Sequence, residues 1–515
     1  MIFIILKSLI LLILAYPMMM FVNEVMFLVN SIKYFKQKIH YKYTPLQGLY
    51  KYLRGSSRNP LTNFYKMFEV DSKDDQKKTA DLLLVNLPTN STPILMVNDK
   101  ELLNELSRVE TKVIRKIEMA RLPIDHSFMC MDGKVAVEHR TIFSEIFYPS
   151  NLKKMAKQMK VIIERHTQKV KMELASQQKD KDGYGEVDLG HHMEQILSDL
   201  VSYVLFGDDV PKVHGVELTR AILHAIDVWT ETARTRMNTL TFGLYRRLGF
   251  DPNFIRVKEE FVTIKKIIQE TVNYRKNSPD YVRGVNAIDL ILDKNEKLEA
   301  QGRPELKLSM KSIEDTMVLL IFAGMDTSKN TSEFSLYHLS KDTDLQSRLR
   351  KEVLENINGK DRKYEYEAYD DNYLLNLFFK EMLRVDGPAW ISFAKLVTKD
   401  FKLGRYKIFK GTIINVSYAA LHQKSEYWDN ADQFDMTRFE DKEKVKKFSK
   451  HGYQPFALGK RACIGKNLGE ITIRMVLASF LSEFEFAAPE VHPRYVVGAT
   501  LGLGHWKGRV RTIQA

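Results

Sequence analysis

Long stretches in which apolar residues recur every three to four positions dominate this chain, and such faces must be buried against one another or against a sheet. The pattern runs over residues 151–177, 194–206, 253–276 and 313–339 and predicts helices there, with a further helix over 372–384. Strand-like segments are fewer and shorter: 82–87, 93–97, 407–409, and 412–418 behind a turn at Gly411. The expected fold class is therefore mainly α with a small β component. From about residue 60 onward no repeat, low-complexity tract or Gly/Ser linker divides the sequence, so one large domain accounts for it. Residues 358–371 and 441–450 are charged and read as exposed loops.

With 44% hydrophobic and 28% charged residues, the 515-residue chain has the composition of a folded protein. Its only cysteines, Cys130 and Cys463, lie 463 − 130 = 333 positions apart. That usage excludes a disulfide framework, a zinc finger and a cysteine-ligated iron–sulfur cluster. The net charge of +13 is unevenly placed. Residues 1–58 carry eight Lys/Arg against the single acid Glu24, a net +7 that leaves only +6 for the rest. A nucleic-acid protein would concentrate its basic residues on the folded domain. Here they follow the apolar start of the chain, which points to an anionic membrane surface and to no nucleic-acid partner.

Residues 1–22 are nearly all apolar, interrupted by Lys7, Ser8 and Pro17, and are long enough to cross a bilayer as a helix. A cleaved signal peptide is the alternative, but no basic residue precedes the run and no A-x-A site follows it. Seven Lys/Arg between Lys33 and Arg58 place the following chain in the cytosol by the positive-inside rule, on the endoplasmic reticulum membrane in a eukaryote. A second short apolar run, 25–32, extends the anchor or lies in the interface. The expected organisation is a single-pass N-terminal anchor over 1–32, a basic juxtamembrane linker over 33–60, and the folded domain over 61–515.

Around Cys463 the sequence reads Phe456-Ala-Leu-Gly459-Lys-Arg461-Ala-Cys463-Ile-Gly465, followed by apolar residues at helical spacing. A glycine-bearing loop thus delivers a cysteine to a helix start. Helix-terminal N–H groups and the nearby Arg461 favour a thiolate there. Gly459 and Gly465 allow backbone to come close to a large flat ligand, with Phe456 packing beneath it. A buried inert cysteine is the plainer alternative for a lone Cys in an apolar segment. Phe456, Gly459, Arg461, Cys463 and Gly465 together resemble the heme-binding signature FxxGxRxCxG of the cytochrome P-450 family, in its microsomal, membrane-anchored form. The resemblance implies the P-450 fold behind the anchor, heme b as cofactor, Cys463 as the axial ligand of the heme iron, and Arg461 paired with a heme propionate.

Other motifs follow in the family's order. In the 313–339 helix, Ala323-Gly324-Met325-Asp326-Thr327 places a glycine and two backbone-competing polar residues inside an apolar run. It resembles the (A/G)Gx(D/E)T segment, where the helix bends over the heme. The resemblance makes Asp326 and Thr327 the catalytic acid–alcohol pair that relays protons, with Ala323 and Gly324 against the cofactor. Glu381 and Arg384, three apart on a helix, resemble ExxR, and Arg438 its third member, a buried structural charge network. Three departures stand out. Ala136 takes the place of a tryptophan that helps hold a propionate, leaving Arg140 to hold it; Lys395 takes another propionate-contact position; Ala431 and Met436 stand where prolines are usual.

The implied activity is a monooxygenase that hydroxylates or otherwise oxidises a lipophilic substrate such as a fatty acid, sterol or xenobiotic. NADPH acts indirectly, through a membrane flavoprotein reductase, with a cytochrome b-type protein as an alternative donor. Lys134, Lys442, Lys444, Lys446, Lys447, Lys450, Lys460 and Lys466 suggest a basic face for an acidic redox partner, or a merely solvated loop. By family position, residues 117–129, 226–244, 317–324, 388–394 and 497–503 line the pocket, with Phe128, Trp229, Phe322, Trp390, Phe393 and Leu501 as its lipophilic surface. Two rivals remain. One is a same-fold enzyme that rearranges peroxides or dehydrates without O2; the other is a non-catalytic basic protein binding anionic lipid.

Overall fold

The computed structural model describes residues 21–41, 61–70, 78–116, 123–234, 248–358, 372–441 and 452–513, less 88–89, 209 and 214–215, together with 366, 369, 443 and 445–446. It is a helical assembly with a six-stranded sheet along one side. In chain order the elements that position the site are α1 (21–35), β1 (His40–Tyr41), β2 (Leu82–Leu87), β3 (Asn90–Val97), α2 (Lys100–Val113), β4 (Ile114–Lys116), α3 (Gly133–Glu145), α4 (Pro149–Ala175) and α5 (Leu189–Phe206). They continue with α6 (Leu218–Arg234), α7 (Pro252–Asn277), α8 (Ala287–Ala300), α9 (Met310–Ser340), α10 (Thr343–Asn358), α11 (Tyr373–Asp386), β5 (Lys395–Val397), β6 (Ile413–Val416), α12 (Tyr418–His422), α13 (Lys466–Glu483), β7 (Tyr495–Val497) and β8 (Leu501–Leu503).

Local chemistry starts these helices where they start. Side-chain oxygens of Asp99, Asp188, Asp251, Asn286 and Ser309 accept from the first free N–H groups of α2, α5, α7, α8 and α9. Gly207, at φ 76°, ends α5 and donates its N–H to the Tyr203 carbonyl. The four long helices read from apolar spacing all form, each within a few residues of its expected ends, and so does α11. Strand β2 spans the expected 82–87. The segment expected as one strand over 412–418 instead closes β6 at Val416 and turns into α12, because Ser417 accepts from the Ala420 N–H and caps a short helix. Most of 358–371 and 441–450 lies outside the described residues.

The sheet runs β1-β2-β3-β6-β5-β4, with β1 parallel to β2, β3 parallel to β6, and the other neighbours antiparallel. Alternation divides each strand between two cores. Leu83, Val85, Ile94 and Met96 face the large helical core, whereas Leu82, Leu84, Leu95 and Val97 face a smaller one with Leu103, Leu106 and Ile414. Helix α9 crosses the large core and packs against α5, α11 and α13.

Residues 21–41, expected as part of the anchor and linker, also pack on this domain. Glu24, Phe27, Ser31 and Tyr34 on one side of α1 are buried, and β1 pairs with Leu83 and Leu84. The opposite side leaves Phe21, Val22, Val25, Met26, Val29 and Ile32 exposed. Residues 1–20, the greater part of the expected span, lie outside the described residues; among those described, no helix is long and apolar enough to cross a membrane.

Candidate active site

The loop into α13 is shaped by α2. Gly459 has φ +72°, and a Cβ there would lie 3.2 Å from Ser107 Cβ and 3.3 Å from the Ser107 carbonyl oxygen, so glycine is required on two counts. The Cys463 N–H donates to the Phe456 carbonyl at 2.8 Å, and Gly469 N–H to the Gly465 carbonyl at 2.8 Å, closing the loop and starting the helix. The two glycines expected to admit a ligand differ: Gly459 answers to Ser107 and is not among the cavity-lining residues, whereas Gly465 lines the cavity, with 3.9 Å between its would-be Cβ and Cys463 Sγ.

Cys463 opens into a cavity of roughly 370 Å³ between this loop and the middle of α9. Its lining is mostly apolar and includes Phe128, Leu320, Phe322, Ala323, Ile391 and Phe456. Burial pushes the Cys463 thiol up from its usual range, opposed by a backbone N–H at Gly465 and by the Arg140 guanidinium. The sequence pattern favours a thiolate through the helix start and Arg461; in the fold, desolvation outweighs the favourable contacts, and the cations that act on the sulfur are Arg140 and, less, Lys466. A metal cation at this thiol would deprotonate it outright.

Three basic side chains stand where the cavity meets α2 and α3. Arg140 donates to the Ala462 carbonyl and sits 6.0 Å from the Phe128 ring centroid. Arg461 reaches Glu110 at 3.6 Å, Asp132 at 3.4 Å and the Ile114 carbonyl at 3.3 Å, while its Nη1 is buried with no hydrogen-bond partner among the described residues. Lys395 forms a 2.6 Å ion pair with Glu110, a buried carboxylate to which nothing in the sequence pattern draws attention. Glu110 thus occupies Lys395 and part of Arg461. The orphaned guanidinium nitrogen, the apolar walls and the lone thiol together suit a flat, carboxylate-bearing, metal-holding group such as heme.

On the opposite wall, α9 keeps its helical backbone through Ala323–Thr327, the segment expected to lie over the cofactor. The Thr327 hydroxyl donates to the Ala323 carbonyl at 2.7 Å, which satisfies it inside the helix. The Asp326 carboxylate accepts from Asn330 and from Thr500, which lines the cavity with it. Two tryptophans leave the expected lining: Trp390 packs edge-on to Phe64 and donates to the Gly498 carbonyl at 3.2 Å, and Trp229 packs in the core, tilted against Phe254 and edge-on to Phe261. Leu501 is likewise buried away from the cavity, while Leu197 and Val201 of α5 line it unannounced by any motif.

The expected charge network is assembled below. Arg384 donates to both oxygens of Glu381 at 2.7 Å and to the carbonyls of His422 at 2.9 Å, Ala431 at 2.7 Å and Gln433 at 2.9 Å. Arg438 joins Glu381 at 3.3 Å. Because Ala431 takes part through its carbonyl, the absence of a proline there leaves the network intact.

A family model described as cytochrome P-450 matches residues 60–503. A probable cytochrome P-450 6a19 of Drosophila melanogaster is 29% identical over 266 residues, so that the alignment spans half of each chain. Secologanin synthase 1 of Catharanthus roseus is 28% identical over 375 residues, 71% of this chain and 67% of its own length. The crystal structure of the cytochrome P-450DA heme domain superimposes with a TM-score of 0.72 over 92% of this chain and 98% of that one; at 18% identity this shows the fold. With a match that begins ahead of β2 and ends beyond the cysteine loop, the chain belongs to the cytochrome P-450 family, the heme b monooxygenases.

Proposed function

We propose that this protein inserts one atom of O2 into a lipophilic small molecule, using electrons passed from NADPH by a flavoprotein reductase. The observation that carries the reading is a single thiol, Cys463, opening into an apolar cavity whose far wall holds Asp326 and Thr327. Heme, when bound, supplies oxygen binding and activation. Cys463 is the residue to hold its iron, with Arg140 and Arg461 for its carboxylates and Phe456, Ala323 and Gly324 forming walls. The apolar lining excludes water and favours a fatty acid, sterol or xenobiotic. The Thr327 hydroxyl carries an exchangeable proton at the cavity wall, and the Asp326 carboxylate is an acceptor beside it.

Exposed Lys134, Lys446, Lys460 and Lys466 support an acidic electron donor; Lys442, Lys444, Lys447 and Lys450 lie outside the described residues. The exposed apolar side of α1, joined to the apolar residues before it, supports attachment to the endoplasmic reticulum membrane with the catalytic domain in the cytosol.

The test is the carbon monoxide difference spectrum of reduced membranes, with Cys463→His alongside. A far-red-shifted Soret band that the substitution abolishes is the expected result. A well-folded preparation without heme would overturn it in favour of lipid binding, and turnover without NADPH would favour peroxide rearrangement.

A further inference from the structure

The hairpin β7–β8 reaches the cavity at its turn, where Ala499 and Thr500 join the lining. Its place is fixed from two sides. Trp390 donates to the Gly498 carbonyl at 3.2 Å, and the Leu501 N–H donates to the Pro388 carbonyl at 2.9 Å. On the α9 side, Asn330 is buried and donates through Nδ2 to Thr500 Oγ1 at 2.9 Å and to Asp326 Oδ1 at 3.4 Å. The Thr500 hydroxyl in turn donates to Asp326 Oδ2. Gly502 lies so close that a Cβ there would come 2.7 Å from Asn330 Oδ1, so the strand backbone rests on this amide.

The triangle has a chemical consequence. No hydrogen bond joins Asp326 to Thr327 among the described residues; the threonine is satisfied by Ala323. Two groups therefore orient the carboxylate: the Asn330 amide on its own helix, and a hydroxyl outside that helix, on a turn that lines the cavity. We propose that Thr500 is a positioning residue for Asp326, holding the carboxylate at the cavity wall so that it hands protons inward. This rests on the monooxygenase reading.

The competing reading is a plain fold staple between hairpin and helix, and the balance of oxygen reduction separates the two. Without substrate, NADPH + H+ + O2 gives NADP+ and H2O2, whereas 2 NADPH + 2 H+ + O2 gives 2 NADP+ and 2 H2O. A poorly placed proton donor moves the outcome toward peroxide, so peroxide released per NADPH consumed reports on the position of Asp326.

The experiment uses the full chain with reductase and no substrate. Thr500→Val removes the hydroxyl at constant shape, and Thr500→Ser keeps it. The expected result is a several-fold rise in peroxide per NADPH for Thr500→Val and near-normal partition for Thr500→Ser. Independently of turnover, Thr500→Val should lower the melting midpoint in the wild-type background and lower it less beside Asp326→Ala, where only the Asn330 bond to Thr500 is left to lose. Unchanged peroxide partition in Thr500→Val overturns the proposal whatever the melting cycle shows, since a non-additive cycle alone leaves a staple; additive midpoints overturn it too. A wild-type chain lacking the carbon monoxide band sinks the monooxygenase reading and this role with it, and is distinguishable from a normal band with unchanged partition.

Discussion

The backbone N–H of Gln454 donates to Nε2 of His422 at 2.9 Å, tying the start of the cysteine loop to a buried imidazole that must be neutral to accept it. Burial, and then the neighbouring Arg384 charge, push that imidazole down to about 3. An unfolded chain binds this proton near pH 6.5, about three and a half units earlier. The stabilising effect is thus fully present above that pH and is lost as pH falls through the folded value, at no more than about 1.4 kcal/mol per pH unit. Denaturant unfolding between pH 4 and 7 should show a shallower pH slope for His422→Gln than for the wild type; parallel slopes would refute the assignment.

Glu333 of α9 behaves with the opposite sign. Burial raises its carboxyl to about 7, only partly opposed by Lys329 at 3.7 Å. Its contribution is complete below the unfolded value near 4.5 and is lost as pH rises through the folded one. Glu333→Gln should therefore raise stability at pH 8 by on the order of 2 kcal/mol and leave it nearly unchanged at pH 4. Urea midpoints at the two pH values decide this.

Removing Arg384 strands a buried carboxylate together with the carbonyls of His422, Ala431 and Gln433. Such breakage of a buried pair costs about 3–5 kcal/mol. Arg384→Lys should recover little, because an ammonium cannot meet two carboxylate oxygens and three carbonyls in one plane. Both variants should yield little soluble, heme-containing protein, and a Lys variant melting within a few degrees of wild type would contradict the argument.

The two glycines of the cysteine loop should differ. Gly459→Ala meets both a left-handed φ and the Ser107 carbonyl, and should lose about 1–3 kcal/mol. Gly465→Ala, with ordinary φ and 3.9 Å of clearance, should lose about 0.5 kcal/mol or less. Comparing their thermal midpoints checks the ranking.

What the sequence made legible was what is local. The body of α9 follows from apolar spacing, and the cysteine loop from five residues within ten positions. Glu381 and Arg384 are three apart, and the network they begin is present as expected. What stayed hidden were encounters between remote segments. Asp326 and Thr500 are 174 positions apart, and neither residue type marks the other as its partner. Glu110 sits on an ordinary amphipathic helix, and only the fold brings Lys395 and Arg461 to it. The tryptophans misled for a related reason: a large aromatic near a pocket in sequence fills core as readily as it faces a ligand.

The parallel pairing of β3 with β6 sets a timetable for synthesis. Ile94 registers with Ile413, which leaves the ribosome 413 − 94 = 319 residues later. At about 5–20 residues per second that is a wait of roughly 15–60 s. Throughout it the inner edge of the β2–β3 hairpin carries unpaired N–H and C=O groups, the template on which a second nascent chain would align. Assembly of the catalytic cavity therefore belongs to the end of translation, and until then the inner edge of β3 stays open to mispairing.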